Sequence, residues 1–228
     1  WLAIAGSVVA AAALLVTPWV IRNKVSVGCF AITTDARALW KANNPATRAI
    51  LAGGGWIDQV PELPGAPPWP ELAADRTLAG TPTTADECAQ MRLYRDEVLA
   101  FWREQPGEKA LLSLQAVRML WSPVVTVEDE VPAGGLSGLA RNVVEPVYFV
   151  TIVVLALAGL ARLPRRFLAL VLLLLGYVTL TAIVFAGTVR YRAPWDFLLC
   201  VPAALALASA YDAVFRTPAR APKKAAAP

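Results

Sequence analysis

The sequence predicts an all-α polytopic membrane protein with about four transmembrane helices and a large extracytoplasmic loop region. Of the 228 residues, 57% are hydrophobic and 17% are charged, and the mean hydropathy is +0.52. An ordinary soluble domain is about 45–50% apolar and about 25% charged. Four apolar runs are long enough to cross a bilayer. The long stretch after the first run instead contains most of the acidic residues and frequent proline and glycine.

The first predicted span covers residues 1–20, which carry no charged side chain. A helix needs about 20 such residues to cross a hydrocarbon core about 30 Å thick. Pro18 and Trp19 lie near its end, where an aromatic side chain suits the membrane interface. Because the chain begins with Trp1 inside an apolar run, we interpret it as a fragment or a trimmed chain.

Residues 21–141 form the predicted extracytoplasmic loop region. Three consecutive glycines (53–55) and the proline-rich run 61–70 predict loop or polyproline structure. Cys29 and Cys88 lie in this region and would pair if it is extracytoplasmic, and two free thiols are the alternative.

Two helices are predicted within this region, and together they resemble a helical hairpin. Thr84 and Glu87 have the spacing of a capping box at the start of the first. An apolar stripe at helical spacing then consists of Met91, Tyr94, Val98, Phe101 and Trp102. Pro106 and Gly107 end this helix, and a second follows over about residues 108–121. The pair either lies on the membrane surface or forms a small core on the water side.

Three further spans are predicted within residues 142–215, at 143–160, 167–186 and 194–215. The tail, residues 216–228, is rich in alanine and proline and is predicted to be disordered. Short loops rich in Lys and Arg stay in the cytoplasm. This rule assigns the loop with Arg162, Arg165 and Arg166, together with the tail, to the cytoplasm. If each apolar run crosses once, residues 21–141 and the turn with Arg190 and Arg192 are then extracytoplasmic. That turn is also basic, against the rule, which hints at a function there.

The composition excludes several classes of function. There is no histidine, which removes histidine-based catalysis and histidine-containing metal sites. The three cysteines share no close spacing, so no metal site is predicted. The formal charge is only +4 and the basic residues form no long stripe, so nucleic acid is not an expected partner.

A basic turn between the third and fourth spans is the main candidate site. Arg190 and Arg192 precede Pro194, which suits the first turn of a helix. A helix N-terminus favours anions. Two arginines beside it therefore predict a phosphate site where the outer face of the plasma membrane meets water. Binding of lipid headgroups is the alternative. Asp196 is expected to compensate the helix dipole, and Arg22 is a second-rank phosphate ligand or an interface anchor.

The segment Trp40 to Pro45 is a second candidate site. Trp40 offers an aromatic platform, and Asn43 and Asn44 offer amides, a combination that suits sugar binding. An Asn-Pro turn beside a packed tryptophan is the alternative.

Several segments, taken in order, carry a resemblance to a known family: residues 17–23, 40–45, 102–123 and 190–194. This pattern resembles the C-terminal half of bacterial membrane glycosyltransferases of the C superfamily. The branch is that of dolichyl-phosphate-mannose–protein mannosyltransferases and aminoarabinose transferases. The resemblance covers nearly the whole chain and rests on the order and spacing of the segments.

The resemblance implies transfer of a sugar from a polyprenyl-phosphate carrier to an acceptor on the outer face of the plasma membrane. It places the catalytic acidic residue in an N-terminal outer loop, ahead of Trp1, so no catalytic residue is assigned here. The implied partners are membrane lipid, the polyprenyl-phosphate sugar, and missing N-terminal spans or a partner subunit. No cofactor is predicted beyond that lipid-linked donor. The alternative is a non-catalytic membrane module or subunit that binds glycan or lipid, and a transporter ranks last because the spans lack central charges.

Overall fold

A computed structural model describes residues 2–32, 36–63, 87–124 and 138–215, and these residues form helices without strands. The helices are α1 (Leu2–Val27), α2 (Arg37–Lys41), α3 (Thr47–Ala52), α4 (Glu87–Glu104), α5 (Pro106–Leu120), α6 (Glu145–Leu160), α7 (Arg165–Val184), α8 (Val189–Arg192) and α9 (Phe197–Phe215). A π-helical turn, Ala140–Val144, leads into α6. Thr84, residues 64–70 of the proline-rich run and the tail 216–228 lie outside the described ranges.

Four of these helical segments are long and apolar enough to cross a membrane: Gly6–Ser26, Ala140–Leu160, Arg165–Val184 and Phe197–Phe215. The prediction of an all-α protein with about four spans is therefore confirmed. Backbone N–H and C=O groups must be paired inside a bilayer, and a continuous helix achieves this within one segment.

Helix α1 continues to Val27, beyond the end of the predicted span at residue 20, so Arg22 and Asn23 lie on its last turns. Pro18 removes a single backbone donor and does not end the helix. The end comes at Gly28, whose φ of 95° is the left-handed conformation typical of a helix C-terminus. Its N–H donates to the carbonyl of Lys24 at 3.2 Å.

The described chain divides into two compact units, and the first comprises Trp1–Gln115 and Val184–Ala186. Its buried side chains include three of the five residues of the predicted stripe of α4, Tyr94, Val98 and Phe101, which are between 1% and 6% exposed. Met91 and Trp102 are partly buried. Helix α4 packs against α2, so the stripe belongs to a small core, one of the two alternatives from the sequence. Only Gln105 separates α4 from α5, and their arrangement as a hairpin stays a prediction.

A disulfide between Cys29 and Cys88 links the segment after α1 to the first turn of α4, with the two Cα atoms 6.1 Å apart. Pairing was one of the two alternatives that the sequence left open. The bond closes a loop of 59 residues in sequence, which restricts the unfolded chain and stabilises unit one.

The second unit comprises Ala116–Ile183 and Gly187–Pro228. Its described residues are 116–124, 138–183 and 187–215. Helices α6 and α9 pack closely along their lengths. Their core consists of Phe149, Ala156, Leu199 and Ala203, with Trp121 against it. A second cluster joins the end of α5 to α7 through Leu120, Val178 and Ala182. These contacts fix the frame in which the basic turn is held.

Candidate functional site

The basic turn contains one helical turn and one tighter turn before the last span. Thr188 is extended, and α8 covers Val189–Arg192. A 3₁₀ turn, Ala193–Trp195, follows, and α9 begins only at Phe197. The prediction that Pro194 lies in the first turn of the span helix was therefore wrong, because the proline is part of the 3₁₀ turn that precedes it.

Arg192 is buried in unit two, with only 3% of its surface exposed. Its Nε donates to Oδ1 of Asp196 at 3.0 Å. Its Nη1 donates to the carbonyls of Leu120 at 2.9 Å and Ser122 at 3.0 Å. Its guanidinium carbon lies 3.5 Å from the centre of the Phe149 ring. Arg192 therefore connects the end of α5, the α6 helix and the start of α9.

The Arg192–Asp196 pair is partly desolvated, and this affects both groups. Burial lowers the pKa of Arg192, although the neighbouring carboxylate opposes that change. Burial likewise raises the pKa of Asp196, against the influence of the arginine. The carboxylate of Asp196 has an ion-pair partner four residues earlier, a contact beyond the dipole compensation expected from the sequence. Removing one member of a buried ion pair leaves the other charge buried without its partner, which lowers the free energy of unfolding by about 3–5 kcal/mol.

Arg190 differs from Arg192 because it is exposed. Its guanidinium lies 5.5 Å from the centre of the Tyr191 ring, and Tyr191 is itself 42% exposed. A cation over an aromatic ring at this distance is a favourable cation–π contact. Of the two predicted phosphate ligands in the turn, Arg190 is the one that a ligand can reach.

Arg22, the third predicted phosphate ligand, lies in unit one, on the last turns of α1. Its guanidinium carbon is 5.0 Å from the Trp19 ring centre, and its Nη1 donates to Oδ1 of Asn23 at 3.2 Å. The side chains of Asn23 and Trp19 in turn donate to the carbonyls of Ala31 and Ile32. These contacts fit the interface anchor that the sequence offered as the alternative.

The segment from Trp40 to Pro45 forms a buried turn in unit one. Asn43 is 0% exposed and Asn44 is 4% exposed. Oδ1 of Asn44 accepts from the N–H of Ala46 at 2.9 Å, and its Nδ2 donates to the carbonyl of Trp40 at 3.0 Å. Nε1 of Trp40 is 3.4 Å from the carbonyl of Pro61. This geometry matches the Asn-Pro turn beside a packed tryptophan.

The amide of Asn43 makes four hydrogen bonds. Its Nδ2 donates to the carbonyls of Leu39 and Val184, each at 2.8 Å. Its Oδ1 accepts from Nε1 of Trp102 at 3.0 Å and from Nζ of Lys109 at 2.6 Å. An asparagine amide has two N–H donors and one oxygen with two lone pairs, so none of this capacity is left for a sugar hydroxyl.

Lys109 is a partner that the sequence did not identify. Its ammonium lies 5.0 Å from the Trp102 ring centre and contacts Asn43. Burial lowers its pKa to about 8. A lysine within a helical run is usually solvated, and no local pattern distinguished this one. Similarly, Leu120 and Ser122 bind Arg192 through their carbonyls, which side-chain patterns do not reveal.

Within the described ranges, no group of three or more acidic or cysteine side chains is close enough to hold a metal ion. Comparisons with protein-family models, with curated proteins and with solved structures each found no match to this chain.

Proposed function

We propose that this chain is the C-terminal part of a membrane glycosyltransferase that uses a polyprenyl-phosphate sugar. In this proposal the enzyme transfers the sugar to an acceptor on the outer face of the plasma membrane, the inner membrane of a bacterium. The observation that carries the proposal is the exposed guanidinium of Arg190, beside Tyr191, in a short turn between two apolar helices. The order of the sequence segments that resemble the family supports it.

The proposed chemistry is displacement at the anomeric carbon of the donor sugar. A nucleophilic atom of the acceptor bonds to that carbon, its proton passes to the carboxylate base that the resemblance places ahead of Trp1, and the bond to the lipid phosphate breaks. Negative charge grows on that phosphate as the glycosidic bond breaks, and a fixed cation nearby stabilises this charge most in the transition state. Arg190 is the proposed contact to the phosphate. A guanidinium suits this role because its planar N–H groups match phosphate oxygens in pairs.

The test is sugar transfer by the full-length protein that contains this chain, in native membranes. We expect Arg190→Ala to lower the rate by about 100-fold or more, the size of effect typical for loss of one preorganised charge-stabilising group. Arg190→Lys should retain part of the rate. Arg165→Ala is the matched control, because Arg165 is also an exposed arginine beside a span. Wild-type transfer by folded Arg190→Ala protein would refute the phosphate role.

The non-catalytic alternative predicts a different result. A module that only binds glycan or lipid should retain polyprenyl-phosphate sugar without releasing the sugar to any acceptor. Binding at the Trp40–Pro45 turn receives no support from the geometry, because the amides of Asn43 and Asn44 are buried and occupied. Of the two candidate sites predicted from the sequence, the basic turn is therefore the one that a lipid-binding module would use.

A further inference from the structure

The two arginines of the basic turn have different surroundings although they are two residues apart. Successive residues of a helix are separated by about 100° around its axis, so positions i and i+2 point to opposite sides. Arg192 points into unit two, where it is 3% exposed. Arg190 consequently projects to the outside, where it is exposed. The burial of one side chain thus determines the direction of the other.

Helix α8 has four residues and cannot be stable on its own, since isolated helices shorter than about 12–15 residues are marginal in water. It needs tertiary contacts, and Arg192 supplies several. The carbonyl of Leu120 is at the C-terminus of α5, where helical carbonyls lack partners, and Arg192 donates to it. A cation is also favoured at a helix C-terminus by the helix dipole.

Asp196 completes this arrangement on the other side of the turn. It accepts from Nε of Arg192 at 3.0 Å and directly precedes α9. The guanidinium of Arg192 therefore binds both the end of α5 and the residue before α9. Because Arg192 belongs to α8, these contacts also fix the position of α8 in unit two. A lysine could not do the same, because an ammonium is a compact charge without the planar array of donors.

We infer that Arg192 is a positioning residue that holds α8 so that Arg190 faces an anionic phosphate ligand. This inference rests on the proposed phosphate role of Arg190 and refines it. Arg192 does not itself contact the ligand, since it is only 3% exposed and its Nε and Nη1 groups donate to Asp196, Leu120 and Ser122. The ligand class is a phosphate at the membrane surface, for which undecaprenyl phosphate is the probe.

The experiment is a double-mutant cycle with the full-length chain in phosphatidylcholine nanodiscs that contain undecaprenyl phosphate. We expect Arg190→Gln to weaken binding by about tenfold, the loss of one charge-assisted hydrogen bond. Arg192→Gln should weaken it by a similar factor. The double variant should bind no worse than Arg190→Gln alone, because Arg192 acts only through Arg190. Losses that multiply in the double variant would overturn the inference.

Amide hydrogen exchange of residues 189–196 provides a readout that does not depend on any ligand. Arg192→Gln should accelerate exchange there by about tenfold, and Arg190→Gln should leave it unchanged. If neither single variant weakens phosphate binding, the proposed function fails. The exchange rates of residues 189–196 in Arg192→Gln then still show whether Arg192 holds α8 in place. Equal exchange in the wild type and Arg192→Gln would overturn it.

A second variant covers the case in which Arg192→Gln does not fold. Asp196→Asn removes the carboxylate partner but leaves the bonds from Arg192 to Leu120 and Ser122 in place. It should accelerate exchange in residues 189–196 by a smaller factor and should also weaken phosphate binding. Wild-type exchange together with wild-type binding in this variant would count against the positioning role.

Discussion

Asn43 illustrates, at the scale of a single residue, how a polar side chain suited to ligand binding serves the fold instead. A net contribution of about 1 kcal/mol is typical for one hydrogen bond, and Asn43 makes four within unit one. Leaving a buried donor unsatisfied costs more than a satisfied bond contributes. We therefore interpret Asn43 as the residue that holds α2, α4 and α5 in register.

The stability of unit one should depend on Lys109 through pH. Its pKa in the folded protein, about 8, lies below the ordinary lysine value of 10.5. Between these values the unfolded chain binds more protons, so the free energy of unfolding rises with pH from about 8 to about 10. The slope is at most about 1.4 kcal/mol per pH unit for one group, and partial solvation reduces it.

Denaturant titrations at several pH values, with wild type and Lys109→Met, measure this effect. The rise should be present in the wild type and absent in the variant. Above pH 10 the opposite trend is expected, because burial and then the hydrogen bond to Glu62 raise the pKa of Tyr94 to about 12. The folded state then keeps a proton that the unfolded chain releases. An unchanged rise in Lys109→Met would contradict the assignment.

The two site arginines show what local sequence predicts at this scale and what it does not. Two arginines, a tyrosine and a proline between apolar runs identified the turn as charged and short. Which arginine is buried depends on Leu120, Ser122 and Phe149, which contribute two carbonyls and a ring. These residues are between 43 and 72 residues from Arg192 in sequence. No local pattern contains that information.

At the scale of whole helices, the contact between α6 and α9 depends on Gly159. A Cβ atom added there would collide with the carbonyl oxygen of Pro202. Small residues let helix backbones approach closely in membranes, where packing replaces the hydrophobic drive for association. Ala156 and Ala203, both 2% exposed, flank the same contact.

Gly159→Ala should therefore destabilise unit two even though alanine is the better helix former. Gly176→Ala is the matched control, because a Cβ at Gly176 in α7 meets no atom within 4 Å. The control should be neutral or more stable by up to about 1 kcal/mol. Thermal unfolding in detergent compares the two, and equal midpoints would show that the α6–α9 contact can relax around the added methyl.

The spans themselves were predictable because the length and apolar composition of a segment are nearly sufficient to identify it as a candidate span. The residues at which the helices begin and end were less predictable. Helix α1 passes through Pro18 and the charged residues beyond it before Gly28 ends it, and α9 starts after Pro194. A proline removes one donor but does not determine where a helix ends, and the neighbouring contacts decide that.

At the scale of the whole molecule, the predicted topology places residues 21–141 outside the membrane and the loop near Arg165 in the cytoplasm. The disulfide is consistent with this, because such bonds persist in oxidising compartments. Charge counting is divided, because the short outside turn with Arg190 and Arg192 is also basic. The cysteine pairing is an independent physical criterion, and it favours the predicted topology.

Single cysteines at Gly107 and Arg165, in a Cys200→Ala background, test the topology. Both positions are exposed, and Cys200 is the free cysteine in the described residues. A membrane-impermeant maleimide should label Gly107→Cys in intact cells, and Arg165→Cys only after permeabilisation. The reverse pattern would overturn the topology, and with it the outer location of the proposed chemistry.

The disulfide also has a consequence for the timing of synthesis. Cys29 leaves the ribosome 59 residues before Cys88, which at about 5–20 residues per second corresponds to roughly 3–12 seconds. Cys29 follows the first span, so in the predicted topology it reaches the far side of the membrane as an unpaired thiol during this interval. In that topology the bond can form only after Cys88 arrives, and a competing thiol would have several seconds to react with Cys29 first.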